Sequence, residues 1–129
     1  MAGTVTVTTS TPRAGVTKYS IAWLSTAGGA VSGNGFAVAR GELVQVKFVP
    51  DGGGTQPTDA YDITLVDTDS VDVIAGLGAN LSNAASTIKI PLFGSSTVQR
   101  YYHDGTQNLD LVVANAGAAK GGTVIIWIR

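Results

Sequence analysis

The chain contains no cysteine, so it has neither a disulfide staple nor a thiolate metal site. Histidine occurs once, at His103, which removes the common zinc arrangements that draw on several histidines or cysteines. Glutamate also occurs once, at Glu42, so a glycosidase-type carboxylate pair would have to come from aspartates. Charge is scarce: Asp, Glu, Lys and Arg make up 13% of the residues, about half the usual quarter. With a formal net charge of -1 and basic residues standing singly from Arg13 to Arg129, there is no positive surplus to neutralise phosphates. Nucleic acid is therefore not an expected partner. Long apolar runs are missing too, because the longest, Val124 to Ile128, is far short of the ~20 residues that span a bilayer. No basic start leads into an apolar stretch, so neither an export signal nor a membrane segment is expected.

What remains is rich in small hydroxyl residues, with 17 glycines and 44% hydrophobic residues in 129 positions, the size of one domain with a genuine core. Two-residue alternation dominates. Around Tyr61, Ile63 and Leu65 it breaks at Asp67-Thr68-Asp69-Ser70, a turn-forming run, and resumes at Val71, which predicts a β-hairpin from Tyr61 to Ile74. Tyr19, Ile21 and Trp23 share one face of an earlier strand, Val44, Val46 and Phe48 one face of another, and Leu109, Leu111 and Val113 one face of a later one. Phe36 to Ala39 and Thr87 to Leu92 read as short strands, the latter an edge because of Pro91. Ala75 to Ser86 reads as an ordered loop, since its glycines and asparagines disfavour a helix. His103-Asp104-Gly105 is a hairpin signal. Thr123 to Ile128 is apolar on both faces, which places that strand inside the sheet or at a subunit interface. The pattern predicts an all-β single domain, a β-sandwich or jelly-roll-like barrel of about eight strands.

The opening Thr4-Val5-Thr6-Val7-Thr8-Thr9 alternates β-branched residues but buries little by itself. Residues 1–15 therefore read either as an edge strand or as an extended arm that adds to a neighbour's sheet, with the sandwich domain over residues 16–129.

Chemical signatures are weak. Asp51 to Asp59 carries a triple glycine but lacks the Gly-Lys-Ser/Thr of a phosphate-binding loop. The aspartates 59, 62, 67, 69 and 72 offer oxygens to a calcium ion, but they lack the EF-hand glycine and glutamate, and turn aspartates are useful without metal. His103 has no nucleophile-elbow serine to serve. No catalytic residue, cofactor or metal ligand is expected. Tyr101 and Tyr102 read as a strand pair with one ring in and one out, or as rings that stack on a sugar. Trp23 and Trp127 read as core or interface.

One resemblance adds to this. The run G-G-T-Q-P-T-D-A-Y-D-I-T-L-V-D-T-D-S-V-D-V-I-A-G-L-G-A-N at 53–80, with L-V-V-A-N-A-G-A-A-K-G-G-T-V-I-I-W-I-R at 111–129, resembles small β-rich virion proteins encoded among the head and tail genes of tailed bacteriophages. It carries no active-site signature. The resemblance implies a structural role on the capsid surface after assembly in the host cytoplasm, as a head decoration or cement protein bridging subunits of the major capsid protein. It further implies a homo-oligomer, often a trimer, and the threonine-rich start resembles in general terms the arms such proteins use to grip capsid subunits; Thr4, Val5, Thr6, Val7 and Thr8, with Trp127 and Ile128 from the apolar last strand, are the expected capsid or subunit contacts. A tail or fibre-attachment component is the alternative within that group, and a carbohydrate-binding sandwich using Tyr101 and Tyr102 is the alternative outside it.

Overall fold

The computed structural model of the protein describes residues 3–91 and 102–129. Nine strands run through them: β1 (Thr4–Arg13), β2 (Val16–Leu24), β3 (Phe36–Ala37), β4 (Gly41–Pro50), β5 (Asp62–Val66), β6 (Thr87–Lys89), β7 (Tyr102–His103), β8 (Asn108–Ala114) and β9 (Gly121–Ile128). Six form one sheet in the order β1-β2-β9-β4-β6, with β7 also on β4, and three form a second in the order β3-β8-β5. Every strand pair is antiparallel. Tyr19, Ile21, Val46, Phe48, Val124 and Ile126 from the large sheet and Ile63, Leu65, Leu109, Leu111 and Val113 from the small one join a single buried cluster. The result is the all-β sandwich that the alternation predicts.

β9 is the centre of the large sheet, bonded to β2 on one side and to β4 on the other. Its inward residues Val124, Ile126 and Ile128 are buried, while Ile125 and Trp127 between them are only half-covered. Its apolarity on both faces thus has one clear cause, the core, and a second face that the chain itself leaves partly open.

The structure departs from simple alternation at three places. In β4, Leu43 pairs with Ile128 and Gln45 with Trp127, so Val44 is the extra residue of a β-bulge. Instead of Val44, Leu43 turns inward beside Val46 and Phe48, and Val44 sits half-covered on the other side.

The predicted hairpin at Tyr61 to Ile74 has its first arm and its turn but no second strand. The Asp67 N–H donates to the Val71 carbonyl (3.0 Å) and the Ser70 N–H to the Asp67 carbonyl (3.1 Å), yet beyond the single bridge Val66↔Asp72 the chain coils through successive turns. Val73 and Ile74 are both fully buried, which neighbouring residues of a one-faced strand cannot be. The partner of β5 in the sheet is β8, with Ile63 opposite Val113 and Leu65 opposite Leu111.

The Asp104-Gly105 turn forms, with Gly105 at a φ of 83°, but it does not close a hairpin. β7 pairs with β4 of the large sheet and β8 with the small sheet, so the turn carries the chain from one layer to the other. His103, read from sequence as a loop residue, is 1% exposed at this corner. Its Nε2 donates to the Gln107 carbonyl (2.8 Å) and its Nδ1 accepts the Gly105 N–H (3.1 Å), and these bonds hold the corner.

Tyr61 is 1% exposed and lies obliquely on Trp23, with ring centres 5.8 Å apart. Burial, reinforced by the Asp51 carboxylate, pushes its phenol from the ordinary 10.0 up to about 12. Because the folded value exceeds the unfolded one, the neutral phenol contributes fully below pH 10, and that contribution is lost as pH rises towards 12. Urea midpoints should therefore fall across this alkaline window in the native protein and fall less steeply in Tyr61→Phe. Parallel pH profiles would mean that Tyr61 ionises without unfolding the chain.

Candidate functional site

The face of the large sheet turned away from the core is made by the residues that alternate with the buried ones. Strand register lines up Thr8, Ser20, Ile125, Lys47 and Ile88 as one row from β1 to β6. Ser10, Lys18, Trp127 and Gln45 form the next row, and Thr6, Ala22, Thr123 and Val49 the row on the other side. Ile125 and Trp127 form the middle of the face, flanked by Lys18, Ser20, Gln45 and Lys47, and its β1 margin is hydroxyl-rich. Lys18 Nζ lies 5.8 Å from the centre of the Trp127 ring, a cation–π contact across the β2–β9 pair.

Val16, Val44, Gln45, Trp127 and Arg129 line an open groove of about 360 Å³ on this face. The bulge in β4 builds it, since a regular strand would have sent Val44 into the core. Beyond the groove, Ile88 is 57% and Ile90 51% exposed. Single exposed aliphatics are ordinary, but here a half-covered tryptophan and isoleucine lie at the centre of a sheet, with Val16 and Val44 along the groove beside Trp127.

The residues singled out from sequence divide accordingly. Trp127 is on the outward face, whereas Ile128, 3% exposed, is taken up by the chain's own core and offers a partner nothing. Thr4, Thr6 and Thr8 are exposed along β1, while Val5 and Val7 pack against the core edge. Within this chain, Thr4–Arg13 is an edge strand, paired with β2 from Thr4↔Leu24 to Ser10↔Lys18. Tyr101 lies outside the described residues, and the backbone of Tyr102 pairs with Glu42. The sequence located Trp127 but not its groove, because nothing in the alternation marks the bulge.

The aspartate cluster has a structural occupation. Asp72 Oδ1 accepts the N–H groups of Leu65 (3.1 Å) and Ile74 (3.3 Å), and Oδ2 accepts that of Gly76 (2.9 Å). Asp67 Oδ1 accepts the N–H groups of Asp69 (2.9 Å) and Val71 (3.0 Å). Asp62 binds the Asn80 N–H (2.9 Å) and the Asn115 side chain (2.7 Å), Asp59 binds the Asn83 N–H (3.2 Å), and Asp69 accepts from the Gln107 amide (3.0 Å). These carboxylates take the place of strand carbonyls for a loop that has few of its own. Among the described residues no three His, Asp or Glu side chains converge as a metal site. On the neighbouring turn, the Thr106 hydroxyl and then its N–H hold the Asp104 carboxyl below the usual carboxylate range. The triple-glycine loop contains a short 3-10 turn, Gly53–Thr55, and Lys120 Nζ donates to the Gly54 carbonyl (3.0 Å).

Comparison with protein families, with characterised proteins and with solved structures finds no match for this chain. The physical features of the surface therefore carry the functional argument. No helix among the described residues is long and apolar enough to cross a membrane.

Proposed function

We propose that this chain is a structural protein of a bacteriophage virion, a head decoration or cement protein that binds the capsid surface and bridges neighbouring shell subunits. The observation that carries the reading is the outward face of the large sheet, where Ile125 and Trp127 stand half-covered at its centre, with Val16 and Val44 in the groove beside Trp127 and with Lys18 and Lys47 flanking the pair. A shell subunit seated there would complete the burial of β9, whose inward half is already in the core. The scarcity of acidic residues on this face and its hydroxyl margin suit a contact held mainly by shape, with Lys18, Lys47 and Arg129 supplying the charge around Ile125 and Trp127. The resemblance of residues 53–80 and 111–129 to phage virion proteins points the same way.

The test is to mix the purified protein with undecorated phage heads and measure uptake per shell subunit. Saturable, stoichiometric uptake is expected, and Trp127→Ala is expected to weaken it by roughly a hundredfold, in line with loss of a central aromatic anchor, without changing the circular dichroism spectrum. Uptake at wild-type level by Trp127→Ala would move the contact elsewhere. Absence of uptake by the intact protein, with binding to tail components or to a glycan array instead, would replace the reading.

A further inference from the structure

The two edges of the large sheet are unlike. At one edge β6 has three residues, carries Lys89, and is followed closely by Pro91, all features that deter another strand from pairing. At the other, β1 has ten residues, and its register with β2 is regular from Thr4 to Ser10, with the irregularity only between Ser10 and Arg13. Thr4 to Ser10 contains no charge, no proline and no bulge, and among the described residues no strand lies on its outer side. An unprotected edge of that length is a template for strand addition.

We infer that a second copy of this chain occupies it, β1 against β1 in antiparallel pairing about a two-fold axis perpendicular to the sheet. Three observations favour a second copy. Under that axis, directly opposed residues must lie on the same face, so the threonines at 4, 6 and 8 meet hydroxyl residues and the half-covered Val5 and Val7 meet inward-facing residues. A register centred on Val7 brings Thr6 opposite the partner's Thr8. The charge of the strand also permits it: the only charged residue of β1, Arg13, falls at opposite ends of the pair, about 40 Å from its counterpart at the strand's rise per residue. Finally, the pairing closes, because it uses both open edges and leaves a twelve-stranded sheet, twice the six of one copy, bounded by two β6 edges. Pairing β1 with β6 of another copy would rest on only three residues.

This arrangement does not rest on the shell-binding reading, since the backbone edge of β1 makes the pairing, although Thr6 and Thr8 stand at the margin of the Trp127 face. It predicts a dimer where the phage resemblance implies a trimer. Sedimentation equilibrium and native mass spectrometry of the full chain should show monomer and dimer in concentration-dependent exchange. In the double variant Thr6→Lys/Thr8→Lys, like charges face each other across the axis, so dimerisation should weaken about tenfold or more. Both positions are exposed, so the fold should be retained, as checked by circular dichroism. The companion variant Thr6→Glu/Thr8→Glu should also be monomeric, and mixing the two should restore a mixed dimer. A wild-type chain that is trimeric, or monomeric at hundreds of micromolar, overturns the inference, and so does a dimer that both charge variants leave intact. Head uptake by a Trp127→Ala chain that still dimerises separates failure of one reading from failure of the other.

Discussion

Gly78→Ala is expected to lower the melting temperature by about 10 °C or more. Gly78 is buried beside β5, and its carbonyl accepts the Ile63 N–H at 2.7 Å. A methyl group on its Cα would run into the Ile63 carbonyl oxygen, with Ile74 Cδ1 at 3.1 Å closing the other side. Neither wall gives way easily. Ile63 is held in the small sheet opposite Val113, and Ile74 is fully buried. The loop must therefore lift from β5, partly uncovering Val73, Ile74 and Leu81, a loss on the order of 3 kcal/mol or more when core side chains lose their packing. Thermal melting followed by circular dichroism measures it, and an unchanged midpoint would show that the loop slides at little cost.

Asp72→Ala is expected to cost about 3 kcal/mol, because one carboxylate satisfies the N–H groups of Leu65, Ile74 and Gly76 and its removal leaves donors in or near the core without acceptors. Asp72→Asn keeps one acceptor oxygen and should recover about half of that loss. Denaturant unfolding of the two variants side by side decides the matter. Equal losses would mean that the negative charge stabilises the loop, and no loss in either would mean that water replaces the carboxylate.

These two substitutions mark where the sequence was legible and where it was not. Tyr19-Ile21-Trp23 and Leu109-Leu111-Val113 keep strict alternation, so β2 and β8 are visible at once. The roles of Asp67 and Asp72 as turn-formers were visible as well, since such side chains bond to nearby backbone in loops. That Asp72 replaces the second arm of a hairpin was not visible, because Val71-Asp72-Val73-Ile74 has the composition of a strand. The bulge at Val44 was hidden for a related reason: it preserves an alternating string while shifting which members face inward. Burial of His103 left no trace in its polar neighbours, Asp104 and Gly105, because the corner it fills is made by two sheets distant in sequence. Trp127 was recognisable as core or interface, but the groove beside it depends on the bulge.

The position of β9 has a consequence for how the protein is made. β2 and β4 do not touch as strand neighbours; the strand between them is β9, which follows both in the chain. While the chain is being synthesised, the β1–β2 ribbon and β4 emerge with Ile21, Trp23, Val46 and Phe48 awaiting their cover, and no strand joins them until β9 has left the ribosome. Assembly must then wait on contacts between residues roughly a hundred positions apart, a topology that folds slowly and exposes sticky intermediates meanwhile. Yield in the cell should accordingly depend on chaperone supply more than on the stability of the finished fold.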